Sequence, residues 1–157
     1  MTNPTQITAA PELPFVDIVR EFDAPVQAVF QAHTDQDLFS RWTGPRQLEM
    51  EILEFDAVTG GKWRYVNRDP QGNSYGFRGV FHTVDTDELI IQTFEFDGAP
   101  GQVSTSSARF EDVNGRTRVS THTVFPSLAS RDGMVANGME HGVLEGHSRL
   151  DELLANP

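Results

Sequence analysis

The chain has 157 residues, enough for one domain with a sizeable core, and no cysteine, which excludes disulfides, thiol catalysis and thiolate metal sites. Its 23 acidic residues against 12 lysines and arginines leave a formal net charge of −11. That charge repels phosphate backbones and anionic bilayers, so neither nucleic acid nor a membrane is an expected partner.

Residues 1–13 contain Pro4 and Pro11 but no basic residue and no continuous apolar run. They fit a flexible leader rather than a secretory signal, ahead of a single domain over residues 14–157. No stretch approaches the length of a membrane span, and a cytoplasmic protein is expected. The first strand pattern runs over Phe15–Phe22. Asp23-Ala24-Pro25 then opens a helix with Pro25 at its first position, and Val26, Val29 and Phe30 follow at helical spacing. Thr34 is placed to cap a second short helix holding Leu38, Phe39 and Trp42, which Gly44-Pro45 ends.

Six further strands come in series. Leu48, Met50, Ile52 and Glu54 share one parity, and Gly60-Gly61 marks a turn. Trp63 and Tyr65 share the next face, opposite Lys62, Arg64 and Val66. A turn at Asp69–Asn73 leads to the alternating Tyr75, Phe77, Gly79 and Phe81. Leu89–Phe96, Val103–Glu111 and Arg116–Phe125 complete the set, the last two joined through Asn114-Gly115. Pattern alone leaves open which face of these last three strands is buried. Ser130 is then placed to cap a helix reaching Leu154, about 37 Å long at 1.5 Å per residue and sufficient to cross a seven-stranded sheet.

This order, with "REFDAPVQAVF" at Arg20–Phe30, "RWTGP" at Arg41–Pro45, "GGKWRY" at Gly60–Tyr65, "YGFRGVF" at Tyr75–Phe81 and "GMEHGVLEGHSRLDELL" at Gly138–Leu154, resembles the START-like, or SRPBCC, superfamily. The nearer resemblance is to its branch related to the activator of the heat-shock-protein-90 ATPase. The resemblance covers about residues 15 to 155. It implies an α+β helix-grip fold: a curved antiparallel seven-stranded sheet around one long C-terminal helix, with two short helices after the first strand. It also implies a cavity between sheet and helix, and no shared catalytic set. Relatives often carry an aromatic residue after the glycine at position 142, where this chain has Val143.

Gly142 and Gly146 lie mid-helix on one stripe with Val135, Met139, Leu150 and Leu153, expected to face the sheet. Each glycine costs about 1 kcal/mol relative to alanine in a helix. Either they admit bulky side chains from the sheet, or the volume belongs to a ligand pocket. In the pocket reading, Trp63, Tyr65, Phe77, Phe81, Met139, Gly142 and Gly146 line it and Trp42 closes its mouth. The expected ligand is then a hydrophobic small molecule.

Catalytic and cofactor signatures are lacking. His141 and Glu145 turn away from the apolar stripe and form an expected surface pair. His33, His82, His122, His141 and His147 show no close ligand spacing, so no metal site is expected. Ser104, Ser106 and Ser107 lack a nucleophile elbow, and Gly60-Gly61 lacks the Lys-Ser/Thr of a phosphate loop, so no cofactor is expected. His122 faces out if Thr121 and Thr123 point inward, and becomes a buried base if the parity reverses. Arg78 is expected on the outer face. The leading expectation is a binding module without enzymatic activity. A chaperone-ATPase-activator role follows only from family analogy, with Leu144 an isolated exposed apolar residue. A cyclase or dehydratase would need an inward polar group such as His122.

Overall fold

The structure, a computed structural model, describes residues 3–156. Eight antiparallel strands form one sheet: β1 (Thr5–Thr8), β2 (Phe15–Phe22), β3 (Glu49–Phe55), β4 (Lys62–Arg68), β5 (Ser74–Asp85), β6 (Leu89–Phe96), β7 (Ser104–Val113) and β8 (Arg116–Val124). Their spatial order is β1-β2-β8-β7-β6-β5-β4-β3, so the consecutive meander β3 to β8 closes against β2. Four helices complete the α+β fold: α1 (Val26–Thr34), α2 (Gln36–Trp42), α3 (Leu128–Ala136) and α4 (Met139–Ala155).

The strand count exceeds the expected seven because Thr5–Thr8, within the segment expected as a flexible leader, pairs with Asp17–Arg20. His147 on α4 adds a tie, its Nδ1 lying 2.9 Å from Thr5 Oγ1. The helix starts also shift by a few residues. Asp35, rather than Thr34, caps α2 by accepting from Leu38 N–H, while the Thr34 hydroxyl turns back to Phe30 O. Ser127, rather than Ser130, caps α3 and accepts from Ser130 N–H.

The single C-terminal helix is two helices. Gly138 adopts φ +84°, a left-handed conformation disfavoured for side-chain-bearing residues, and the Asn137 amide side chain binds Gly133 O. The apolar period continues across this Asn-Gly pair, which masks the stop signal in the sequence.

Alternation sets the core. Trp63, Tyr65 and Asn67 point inward from β4 and Phe81 from β5, while Phe110, Thr117 and Val119 do the same from β7 and β8. This settles the inward parity of the last strands. A bulge in β3 between Ile52 and Glu54 turns Phe55 inward and leaves Leu53 54% exposed, so Glu54 does not share the face of Ile52. Phe22, Val29, Phe30 and Leu150 meet these residues between sheet and helices. Beside them, the buried Arg20 holds Asp151 of α4 through two 2.6 Å hydrogen bonds, with its guanidinium 4.7 Å from the Phe22 ring centroid.

Candidate functional site

The paired glycines sit against α2 and not over the sheet. A Cβ at Gly146 would lie 3.4 Å from Trp42 O and 3.7 Å from Gly44 N, and one at Gly142 would lie 3.9 Å from the Pro45 ring. Arg149 fastens the same junction by donating to the carbonyls of Arg41, Thr43 and Gly44, the unpaired acceptors at the end of α2. The glycine stripe therefore brings two helices together. Trp42 points inward from this junction, donating Nε1–H to Ala32 O at 2.8 Å. Gly142→Ala meets only ordinary contact, so it is expected to raise stability by about 0.5–1 kcal/mol through helix propensity. Urea denaturation checks this, and a loss would show that close packing requires the glycine.

The aromatic candidates do assemble. Trp63 stacks on Tyr65 at 5.3 Å between centroids, Tyr65 meets Phe77 at 5.3 Å, and Phe77 meets Phe94 and Phe96 at 5.4 and 5.2 Å. Phe81 belongs to the same buried cluster through Phe55, whose ring lies 5.7 Å away. Met139, half-buried, stands at the first turn of α4 beyond the Gly138 break.

Beyond this wall, a cleft of about 560 Å³ opens between the inner face of the sheet and α3. Tyr75, Phe94, Phe96 and Phe125 form its sheet side, and Ala129, Gly133 and Met134 its helical side. Gln102, Ser104, Ser130 and Asn137 supply the polar lining, with no Asp, Glu, Lys, Arg or His. Ser104 is 4% exposed, and its hydroxyl reaches Phe94 O only at 3.5 Å, leaving it free to bond elsewhere. Buried Arg131 holds α3 in place by donating to Ala10 O and Phe15 O. A neighbouring opening of about 590 Å³ is lined by Leu48, Asp69, Pro70, Tyr75 and Phe77 among others, so Tyr75 borders both.

Of the eight residues singled out from the sequence, Phe77 lines this second opening, Trp63 borders a depression on the other side of the sheet, and none lines the cleft itself. Phe94, Phe96, Phe125 and Ser104 were missed because the buried parity of their strands was open. Gly133 and Met134 were missed because the helix was read as unbroken. Their accessible signal was the Asn137-Gly138 pair.

A larger depression, about 630 Å³, lies on the sheet's outer side around Arg64, Arg78, Val80, Glu95 and Asp97. Two ion pairs lie in it: Arg64 meets Asp97 at 2.7 Å and Arg78 meets Glu95 at 3.1 Å. The Arg64 hydrogen bond holds the Asp97 carboxyl below the usual range. Arg78 thus faces outward as expected. The cleft differs in having an uncharged, mostly apolar lining.

The polar candidates for chemistry face elsewhere. His122 is 45% exposed on the outer face and lies 2.6 Å from Asp17. His141 meets Glu145 at 2.8 Å on the surface, where Arg46 also approaches Glu145. His33 and His147 are half-buried, and desolvation lowers the pKa of both to about 4, with the Arg20 charge adding to the effect on His147. Among the described residues, no cluster of three His, Cys, Asp or Glu side chains is placed to hold a metal ion. Among the described residues, no helix is long and apolar enough to cross a membrane.

An eight-stranded antiparallel sheet carrying a C-terminal helix, with a cleft at one end, defines an SRPBCC-type α+β protein. Residues 23–155 match the family described as activator of Hsp90 ATPase homolog 1-like protein, and the chain belongs to this family. The solved structures agree on the fold. A Rhodobacter sphaeroides protein is 23% identical with a TM-score of 0.90, covering 98% of this chain and 100% of its own. An Arthrobacter aurescens protein is 26% identical with a TM-score of 0.88, covering 97% and 92%. A Silicibacter pomeroyi AHSA1 protein is 22% identical with a TM-score of 0.75, covering 90% and 97%. Comparison with curated proteins gives no match.

Proposed function

We propose that this protein is a small-molecule-binding module that holds an uncharged, mainly hydrophobic ligand in the cleft between α3 and the sheet. The observation that carries this reading is the cleft lining: aromatic and aliphatic walls, a few neutral polar groups and no charged side chain. Trp63, Tyr65 and Phe77 form the wall behind Phe94 and Phe96, so they shape the inner end of the site. The net charge of −11 disfavours anionic ligands further. Chaperone-ATPase activation is the second reading and draws on the family description alone.

The test is binding of the uncharged fluorescent probe N-phenyl-1-naphthylamine. Gly133 borders the cleft, and a Cβ there would meet open space, so Gly133→Leu puts bulk into the cleft without clashing with the fold. It is expected to weaken probe binding by about tenfold or more, equivalent to about 1.4 kcal/mol, with an unchanged circular dichroism spectrum. Equal affinity in the variant and the wild type would remove the cleft from the argument.

A further inference from the structure

Ser104 is the most deeply buried residue of the cleft lining. It is 4% exposed, whereas Gln102 and Asn137 are exposed and Ser130 is half-buried, so the other neutral polar groups lie nearer solvent. Its neighbours on the inner face carry rings. Phe94 is its register partner on β6, and Phe125, which follows the Val124 paired with Thr105, borders it from the β8 side. All three residues line the cleft. A serine between two phenylalanines leaves a notch in the aromatic floor, and the notch carries a hydroxyl.

That hydroxyl is weakly bonded. Its 3.5 Å approach to Phe94 O lies well beyond the ordinary hydroxyl range, which ends near about 3.0 Å. Ser106 and Thr123 show the usual outcome on the same face of the sheet, two strand positions on, where their hydroxyls bond each other at 2.8 Å. Buried polar groups are seldom left so poorly paired, because they lose their hydration without full return. The Ser104 Oγ turns about a single bond, so it can meet a molecule in the cleft without any change in the sheet.

We infer that Ser104 is the specificity-determining residue of the cleft, selecting an apolar molecule that carries a neutral hydroxyl, an alcohol or a phenol, at its inserted end. This rests on the cleft reading and adds an orientation and a chemical requirement to it. A hydroxyl both donates and accepts, so the ligand group pairs with Ser104 whichever way the serine proton points. Phe94 and Phe125 then flank the apolar body behind the bond. A methyl group in place of the hydroxyl fills the same notch and leaves Ser104 poorly paired, which is the basis of discrimination.

A matched probe pair tests this. 2-Naphthol and 2-methylnaphthalene differ by a hydroxyl against a methyl of nearly the same size. Their affinities for the full chain are measured by displacement of N-phenyl-1-naphthylamine. Ser104→Ala is expected to weaken 2-naphthol by about fivefold, the scale of one hydrogen bond, and to leave 2-methylnaphthalene within about twofold. The methyl probe thus reports whether the cleft of the variant is intact. The wild type gives an independent readout: nuclear Overhauser contacts are expected between the 2-naphthol ring protons beside the hydroxyl and the Ser104 β-protons.

Equal weakening of both probes, or of neither, would overturn the role of Ser104 and leave the cleft reading standing. Overhauser contacts that place the hydroxyl end beside Ser130 or Asn137 would do the same. If Ser104→Ala does not fold, the wild-type contacts decide alone. Failure of N-phenyl-1-naphthylamine and both naphthalenes to bind would overturn the cleft reading and this inference together.

Discussion

Gly79→Ala is expected to destabilise the protein by about 3 kcal/mol or more, because the added methyl has nowhere to go. A Cβ at this position would overlap Thr93 O on β6 and come within 2.6 Å of Trp63 Cε2 and Cζ2. One obstacle is backbone in the paired strand, and the other is a ring fixed by its stack on Tyr65. The flanking Val80 N–H is bonded to Thr93 Oγ1, so the strands cannot separate without losing that bond as well. Urea denaturation would show a lowered midpoint at unchanged slope. A variant within about 0.5 kcal/mol of wild type would mean that the indole can move aside, the range expected for a neutral surface change. Gly142 lies at the other extreme, with room for the methyl group. The two glycines look alike in the sequence, and their surroundings give them opposite signs.

Asp151→Ala is expected to cost about 3 kcal/mol, the lower end of the range for removing one partner of a buried ion pair. Arg20 is 2% exposed, and the carboxylate accepts two of its hydrogen bonds at 2.6 Å. Without Asp151 the guanidinium keeps, among the described residues, only Glu21 O and the Phe22 face, and its Nε has no partner there. Because Asp151 is 33% exposed, water can enter and offset part of the loss, which is why the lower end applies. The double variant Arg20→Met, Asp151→Ala is expected to be more stable than Asp151→Ala alone, since it removes the stranded charge. Thermal or urea denaturation of both variants decides this. A double variant less stable than Asp151→Ala would show that Arg20 contributes mainly by packing its stem.

The legible parts of this molecule are those governed by short-range periodicity. Trp63 and Tyr65 alternate with Lys62 and Arg64, and a half-buried strand has period two, so their common inward face follows from spacing. The C-terminal end of α2 follows from local chemistry too, since Gly44 at φ +84° and Pro45 cannot continue a helix. Likewise, His141 and Glu145 fall away from the apolar stripe and pair on the surface.

The candidate site was much less legible. Its far wall is Phe94 and Phe96 on β6, where Leu89–Phe96 offers apolar or β-branched residues at both parities. Its near wall is α3, which exists as a separate element only because Gly138 takes a left-handed conformation. The outward bulge at Leu53 and the pairing of Thr5–Thr8 with β2 likewise need strand neighbours to become visible.

Taken by itself, the sequence determined the α+β class, most strand positions, the inward aromatic face of β4 and β5, and the absence of thiol chemistry. Each follows from composition or from spacing within a few residues. Only the tertiary structure decided that Gly142 and Gly146 bring α4 against α2, that the cleft lies beneath α3, and that Arg20 is buried against Asp151. The physical reason is distance along the chain. Arg20 and Asp151 are 131 positions apart, and nothing local to either residue encodes the burial or the partner that the other supplies.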